Sequence, residues 1–288
     1  MFAIRHLLAA ACVLGGLGLV PGTARAAQSY DNCTGFIDSV PTTIGKAGAW
    51  CLRKDVSTAN TSGAAITINA NNVTIDCNDF KVGGLVAGDG SLANGIYADN
   101  RQNVTVRHCN VRGFYRGIHL TGGAGHLVED NRLDNNLHTG IYVSGDNTLV
   151  QRNRVFDTGG SPGNNYASGI TSTADTLDNT VSGVFVDPTI NTYSVSAGID
   201  ALGKGTAVHG NRVRGLVVAG TGIARGILST ASGITIDGNQ VTAGSTTAGY
   251  GILGGWDAAC SNNNVVNYAT NYYECAVSVH NISLPLSP

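Results

Sequence analysis

The heptapeptide Leu127-Val-Glu-Asp-Asn-Arg-Leu133 returns shortly afterwards as Leu149-Val-Gln-Arg-Asn-Arg-Val155, and this recurrence decides the fold. Related short runs, rich in β-branched residues and ending in an apolar residue, are Val73–Phe80, Val104–Val111, Ala207–Val213 and Ile234–Val241. A Gly-Ile dipeptide begins similar segments at Gly95, Gly117, Gly140, Gly169, Gly198, Gly226 and Gly251. Self-similarity at intervals of about 22 to 29 residues is the signature of a stacked repeat protein.

Each repeat is predicted to contain three short strands separated by turns. Apolar residues alternate within the strands, so one side of every repeat is apolar and cannot be buried by that repeat alone. Stacking the repeats about 4.8 Å apart joins each strand to its counterparts above and below and buries a continuous core. The sequence therefore predicts an all-β fold, a parallel β-helix of about eight to nine coils.

One turn of the repeat carries a column of polar residues. In the aligned repeats this position holds Asn78, Cys109, Asn131, Asn153, Asn211, Asn239 and Asn263. A tight turn leaves backbone groups unpaired, and stacked asparagine amides can bond to them and to one another, so we interpret the column as structural. The repeat that begins at Gly169 is predicted to break the column by placing Val184 there.

The Gly-Ile strand followed by a turn asparagine resembles the parallel β-helix repeat of pectate-lyase-like and polygalacturonase-like proteins and of periplasmic proteins of the NosD type. The similarity covers about residues 60–280, and the segment Gly48-Ala-Trp-Cys-Leu-Arg-Lys-Asp55 is similar to the opening strand of such proteins. The resemblance implies a right-handed coil. Its motifs specify the fold strongly and match no specific enzyme family.

The beginning of the chain has the pattern of an export signal. Arg5 supplies a positive charge, Leu7–Val20 is an apolar run, and Ala24-Arg-Ala26 fits a cleavage site between small residues. We expect residues 1–26 to be a signal peptide, 27–62 an N-terminal cap with the opening strand, and 63–288 the β-helix with its C-terminal cap. The protein is predicted to be secreted or periplasmic, without a membrane span.

Six cysteines follow the predicted signal peptide, an even number in a chain bound for an oxidising compartment. The first two flank the N-terminal lead-in, the middle two occupy nearly matching turns of neighbouring coils, and the last two fall in the final coils. The predicted disulfides are Cys33–Cys51, Cys77–Cys109 and Cys260–Cys275.

Composition argues against several classes of function. Only 12% of the residues are charged and the formal net charge is −2, so the chain has no basic stripe of the kind that binds nucleic acid. The histidines lack metal-ligand spacing on one strand face, and the cysteines lack a C-x-x-C pattern. We expect no metal and no cofactor, and the sequence leaves the oligomeric state open.

Beside each Gly-Ile dipeptide, one residue is predicted to point outward. Because the isoleucine points into the core, the residue after it faces outward, and stacking aligns these residues in one external row. The row contains Tyr97, His119, Tyr142, Thr171, Asp200, Leu228 and Leu253. Arg116 and Asp99 are expected on the same side. The longer repeats are expected to place extra residues beside it, in Phe156–Ser168, Asp187–Ala197 and Gly215–Arg225.

Aromatic rings can stack on sugar rings, and arginine can pair with a uronate carboxylate. Cleavage by β-elimination needs a base, a cation that neutralises the carboxylate and an acid for the leaving oxygen, and we assign these roles to His119, Arg116 and Tyr142. The candidate substrate-binding residues are Tyr97, Asp99, Thr171 and Asp200.

Two functions are compatible with this pattern. The first is an exported protein that binds an acidic polysaccharide on this face, with or without cleaving it by elimination. Hydrolysis is less well supported, because a glycosidase needs two acids about 5 to 10 Å apart and Asp200 has no acid beside it in the row. The second is a non-catalytic β-helix that serves as a surface, envelope or adhesion module, which the low charge and few aromatic residues favour.

Overall fold

The computed structural model describes residues 30–284 apart from residue 191, and it leaves out the side chains of residues 245–247. The predicted signal peptide, residues 1–26, lies outside the described residues. Strands dominate this part of the chain, which also contains a short 3₁₀ helix at Leu85–Ala87. No helix in it has the length and apolar character needed to cross a membrane.

The chain coils through three parallel sheets that are joined by its turns. The first, here called the Gly-Ile sheet, contains Thr42–Ile44, Ala64–Ile68, Asn94–Asp99, Arg116–Thr121, Thr139–Val143, Tyr166–Ser172, Val195–Ala201 and Ile223–Ser229. The second sheet contains Gly35–Phe36, Gly48–Cys51, Val73–Asp76, Val104–Arg107, Leu127–Glu129, Leu149–Gln151, Asp175–Leu177, Ala207–His209 and Thr235–Asp237. The third sheet contains Val56–Ser57, Lys81–Gly83, Asn110–Arg112, Arg132–Asp134, Arg154–Gly159, Thr180–Phe185, Arg212–Arg214 and Ile282–Leu284. Two long strands, Gln240–Ser261 and Asn264–Val279, pass through all three sheets.

Neighbouring coils pair strand by strand in parallel register. Ile118, for example, lies beside Ile96 of the coil before and Ile141 of the coil after. About nine coils stack in this way, so the predicted right-handed parallel β-helix is confirmed. Pairing begins with Gly35–Phe36, which lies beside the strand Gly48–Cys51.

The core is a stack of side chains from successive coils. Its clearest column consists of the fully buried isoleucines of the Gly-Ile sheet: Ile66, Ile96, Ile118, Ile141, Ile170, Ile199, Ile227 and Ile252. Burying these apolar surfaces against one another is the main favourable contribution to the fold. It also explains why the repeat keeps isoleucine at this position.

The glycine before each isoleucine is required by close packing between coils. A Cβ at Gly169 would lie 2.8 Å from the carbonyl oxygen of Gly198 and would also meet the side chain of Val181. We expect Gly169→Ala to lower the free energy of unfolding by about 1 to 3 kcal/mol, measured by chemical denaturation, because the inserted methyl group overpacks the core. Gly90→Ala is the matched control, since a Cβ at Gly90 has nothing within 4 Å; an equal loss in both variants would contradict this explanation.

The asparagine column lies between the second and third sheets and is buried. Its members are Asn131, Asn153, Asn179, Asn211, Asn239, Asn263 and, half-buried at the last coil, Asn281. The prediction that Val184 takes the column position of the Gly169 repeat is wrong. Asn179 occupies it, and Val184 lies in the strand Thr180–Phe185. The middle residue of the preceding strand is Thr176 where other repeats carry valine or isoleucine, which obscured the alignment.

The predicted place of Asn78 in the column is also wrong. Cys77 lies over Cys109 instead, with their Cα atoms 4.7 Å apart. Four residues separate Asp76 from Lys81 in this turn, whereas two separate Arg107 from Asn110 in the next coil, and Asn78 has a φ of 45°. The longer turn moves Asn78 outward to a half-buried position, where its Nδ2 donates to the carbonyl of Leu52 at 3.0 Å.

Each asparagine from Asn131 to Asn263 forms hydrogen bonds with groups in the coil before it and in the coil after it. Oδ1 of Asn153 accepts hydrogen bonds from the backbone N–H of Asn131 at 3.1 Å and from its Nδ2 at 3.0 Å. Nδ2 of Asn153 donates to the carbonyl of Val128 at 2.9 Å and to Oδ1 of Asn179 at 3.0 Å. The same pattern continues to Asn281. The column therefore pairs polar groups that would otherwise be buried without partners.

The three predicted disulfides are confirmed. Cys33–Cys51 ties the lead-in to the first coil, and Cys77–Cys109 joins two neighbouring coils where asparagine is absent from the column. Cys260–Cys275 joins the two long strands of the last coils. The cross-links thus lie toward the ends of the solenoid, where fewer neighbouring coils hold the chain in place.

The extra residues of the longer repeats lengthen strands as well as loops. The strand Arg154–Gly159 continues to Gly159 and the next begins at Tyr166, so the connection predicted at Phe156–Ser168 is reduced to residues 160–165. The connection predicted at Asp187–Ala197 ends where a strand begins at Val195. The connection predicted at Gly215–Arg225 ends at Ile223 for the same reason.

Candidate functional site

The outward row of the Gly-Ile sheet is in continuous register. Tyr97 lies beside His119, and His119 lies beside Tyr142. The pairing continues in the order Tyr142, Thr171, Asp200, Leu228 and Leu253. Because coils are about 4.8 Å apart, neighbouring side chains of the row can contact the same sugar unit.

We call Tyr97, Arg116, His119 and Tyr142 the Arg116 patch. The His119 ring centroid lies 5.2 Å from that of Tyr97 and 5.0 Å from that of Tyr142, and the Tyr142 ring presents its edge at 87°. All four side chains are partly exposed. They form a half-exposed ladder of rings with a cation at its side.

Asn94 orients the imidazole of His119. Its Oδ1 lies 3.2 Å from His119 Nδ1, and its Nδ2 donates to the carbonyl of Gly63 at 3.4 Å. Since the amide oxygen can only accept, a neutral His119 carries its hydrogen on Nδ1 and keeps a lone pair on Nε2. Asn94 was not among the predicted site residues, although it precedes Gly95 as Arg116 precedes Gly117.

Arg116 is held by aromatic rings. Its guanidinium carbon lies 5.1 Å from the ring centroid of Tyr142 and 5.4 Å from that of Tyr115. Its Nε is buried without a hydrogen-bond partner, and within the described part of the chain no carboxylate lies within 4.0 Å of the guanidinium. A guanidinium has five N–H donors and stays charged, so this one can bind an anion.

The electrostatics of the patch keep His119 neutral. Burial, and then the positive charge of Arg116, lower the pKa of His119 to about 4, while Asp99 acts in the opposite direction. At neutral pH its Nε2 can therefore accept a proton. The same low pKa makes His119 a weak base, because proton transfer is most effective when the pKa lies near the working pH.

A second ring ladder flanks the first and was not predicted. His138 stacks on Tyr115 with a centroid distance of 4.6 Å and an interplanar angle of 26°, and lies 5.8 Å from the ring of Tyr166. Burial and the charge of Arg116 lower the pKa of His138 to about 4 as well. The sequence does contain a signal for this second ladder, because Tyr115, His138 and Tyr166 each lie two or three positions before a Gly-Ile dipeptide.

The other predicted binding residues differ in exposure. Asp99 is exposed beside Tyr97. Thr171 and Asp200 lie in the row, but only 8% and 3% of their surfaces are exposed. The part of the row that a ligand can reach therefore becomes smaller after Tyr142. Asp200 belongs to the row but is buried.

Asp200 is a buried carboxyl group with one unpaired oxygen. Its Oδ1 has no hydrogen-bond partner among the described residues, and burial raises its pKa to about 7 against the opposing charge of Arg225. The unfolded chain ionises this group near its ordinary pKa of 3.8. The stability that protonated Asp200 contributes is therefore complete below that pKa and is lost as the pH rises toward 7.

We expect Asp200→Asn to remove this pH dependence. Between about pH 5 and pH 8 the unsubstituted protein should lose about 2 kcal/mol of unfolding free energy relative to the variant, because most of the titration falls in this window. Urea denaturation at both pH values measures the difference. A constant difference at the two pH values would mean that Asp200 does not titrate with this shift.

The patch can perform two kinds of chemistry. Arg116 can bind a carboxylate while the flanking rings stack on a sugar. His119 Nε2 and the hydroxyl of Tyr142 are, respectively, a proton acceptor and a proton donor on adjacent coils.

Known proteins resemble this chain in its fold. The family model described as "Right handed beta helix region" matches residues 46–215, more than half of the chain. Pectate lyase Pel9A superposes with a TM-score of 0.56 at 14% sequence identity, over 83% of this chain and 70% of that one. The enzymatically active domain of tailspike protein 2 from bacteriophage CBA120 superposes with a TM-score of 0.53 at 13% identity, over 89% of this chain and 41% of that one, so this chain spans less than half of it. No curated protein matches the sequence.

Proposed function

Because the chain belongs to the right-handed β-helix family, we propose that it is an exported protein that binds an acidic polysaccharide on the outer row of its Gly-Ile sheet. The Arg116 patch is the proposed binding site. β-Elimination is the reaction that its side chains can perform. Pectate lyase Pel9A, with a similar β-helix, is an example of a polysaccharide-cleaving enzyme on this fold.

The observation that carries the proposal is the uncompensated cation among aromatic rings. Arg116 lies between Tyr115 and Tyr142 without an acidic partner among the residues described. A uronate carboxylate would supply the missing anion, and the apolar sides of successive sugar rings would cover Tyr142 and Tyr97. A neutral polymer would use the rings alone and bind less tightly.

In the proposed reaction, Nε2 of His119 removes the proton from the sugar carbon next to the carboxylate. The electron pair left behind forms a carbon–carbon double bond as the neighbouring carbon–oxygen bond breaks. The hydroxyl of Tyr142 donates its proton to the leaving oxygen, and solvent returns the proton from His119 to Tyr142. Arg116 stabilises the negative charge that develops on the carboxylate.

A second candidate function, binding without cleavage, is favoured by two observations. The pKa of His119 is about 4, which makes it a weak base in the free protein. Thr171 and Asp200 are buried, which shortens the open part of the row. Such a protein would be a surface, envelope or adhesion module.

Export is supported by the cross-links. Three disulfides form from the six cysteines that follow the predicted signal peptide. Structural disulfides persist mainly in oxidising compartments. We therefore propose a secreted or periplasmic location.

The test is a screen of the purified protein against uronate-containing polysaccharides and one neutral polymer. Cleavage is followed by the ultraviolet absorbance of unsaturated chain ends, and binding by retention on immobilised polymer. Arg116→Ala should abolish retention on the uronate polymer. Arg154→Ala, which removes an exposed arginine of the third sheet, should leave retention unchanged.

The outcomes separate the candidates. Retention together with new absorbance supports elimination. Retention that depends on Arg116 without absorbance supports the non-catalytic function. Equal loss in both arginine variants, or no retention on any uronate polymer, contradicts binding at the Arg116 patch.

A further inference from the structure

The outer row ends in a groove that the Arg116 patch does not use. Leu228 and Leu253 line this groove, which has a volume of about 440 Å³. Trp256 also lines it and is 90% exposed. We call it the Trp256 groove. An indole is rarely left in water in this way, and exposed aromatic surface beside a concavity is typical of a binding site.

Two acidic side chains give the Trp256 groove its charge. Asp257 and Glu274 both line it and both are exposed. Each immediately precedes one member of the backbone pair Ala258 and Cys275, so the two acids lie on adjacent strands. Cys275 is also cross-linked to Cys260, which fixes the strand that carries Glu274.

Neither acid has a positively charged partner. Over residues 30–284 as described, no lysine, arginine or histidine nitrogen lies within 4.0 Å of either carboxylate, and neither side chain makes a hydrogen bond. Both carboxylates line the same groove without a positively charged partner, so a cation bound in the groove would be attracted by both.

We infer that the Trp256 groove binds a sugar unit that carries a free ammonium group, a hexosamine. The indole of Trp256 supplies a flat surface for the sugar ring and attracts the cation, and the carboxylates of Asp257 and Glu274 bind the ammonium. Thr230, an exposed hydroxyl residue of the groove, can bond to the sugar hydroxyls. A uronate is excluded by charge.

This site is independent of the Arg116 patch. Four coil steps separate Tyr142 from Leu253, a distance of about 19 Å. The two sites have opposite charge and share no residue. The groove can therefore be tested without any knowledge of what the Arg116 patch binds.

Tryptophan fluorescence is a direct probe, because the chain contains two tryptophans. Trp50 is partly buried and its Nε1 donates to the carbonyl of Lys46 at 3.0 Å, far along the chain from the groove. In Trp50→Phe, emission comes from Trp256 alone. Titration with a glucosamine tetramer should give a saturable change in that emission, whereas N-acetylglucosamine and galacturonate tetramers should bind at least about tenfold more weakly. In Trp256→Phe, the remaining emission should not change.

The acids are tested in the Trp50→Phe background. Asp257→Asn combined with Glu274→Gln should weaken binding of the glucosamine tetramer at least about tenfold. Asp89→Asn combined with Asp146→Asn removes two exposed acids elsewhere and should have no effect. Added salt should weaken binding to the protein that keeps both acids, a readout that does not depend on the folding of the double variant.

Several results would overturn the inference: no change in Trp256 emission, equal affinity for the N-acetylated tetramer, or affinity that is insensitive to salt. Equal losses in the two double variants would also overturn it, since they would indicate general attraction to a negatively charged protein.

Discussion

Replacing His119 with alanine should lower the rate of polysaccharide cleavage at least about 100-fold, because the proposed reaction then has no positioned base. The ring lies between Tyr97 and Tyr142, and Asn94 holds its Nδ1, so no other side chain of the patch can present an unshared nitrogen at this place. The measurement is the initial rate of absorbance increase with a uronate polymer that the protein cleaves. Retention on the same polymer should fall far less than the rate.

Tyr142→Phe should slow cleavage to a similar extent, since it removes the hydroxyl that protonates the leaving oxygen but keeps the ring. Tyr193→Phe is the matched control, because Tyr193 is 47% exposed and lies in a connecting loop. Arg116→Ala should impair both retention and rate, since the carboxylate gains charge as the reaction proceeds. An active protein in which the changes at His119, Tyr142 and Arg116 were all silent would show that cleavage takes place elsewhere.

The largest expected loss of stability follows from Asn153→Leu, at about 3 to 5 kcal/mol of unfolding free energy. Asn153 is fully buried. Leucine would leave the backbone N–H of Asn131 without its acceptor and the carbonyl of Val128 without the amide donor. Each buried group that loses its partner costs about 1 to 3 kcal/mol. Chemical denaturation followed by circular dichroism measures the loss.

Asn60→Leu is the control for this substitution, because Asn60 is exposed and its side chain makes no hydrogen bond. Its unfolding free energy should change by less than about 0.5 kcal/mol. If Asn153→Leu proved as mild as Asn60→Leu, the column would not supply the hydrogen bonds that hold neighbouring turns.

Features that depend on the regular spacing of the repeats could be predicted from the sequence. The spacing of the Gly-Ile dipeptides gives the coil length and the register of the row, and Cys77 and Cys109 could be matched because they occupy corresponding turns. The predicted asparagine column was wrong where the apolar pattern of the repeat changed. Thr176 is buried at a position that valine or isoleucine fills in other repeats, with its hydroxyl bonded to the carbonyl of Ala174 at 3.2 Å, so the alignment missed Asn179.

The site was less predictable, because it depends on contacts between side chains of different coils. The sequence places His119 beside Tyr97 and Tyr142, but it does not show that Asn94 bonds to the imidazole. Nor does the outward direction of a strand residue determine its exposure. Asp200 points away from the core and is nevertheless buried, which the alternation of the strand cannot reveal.

The asparagine column also gives the solenoid a direction of assembly. The amides of Asn131 donate to Asn153, and those of Asn153 donate to Asn179, so each turn is completed by the coil that follows it. In a stack that ends at one of these coils, the amide donors of the last asparagine have no acceptor until the next coil is added. The carboxyl-terminal edge of a partly folded solenoid therefore favours the addition of the following coil of the same chain.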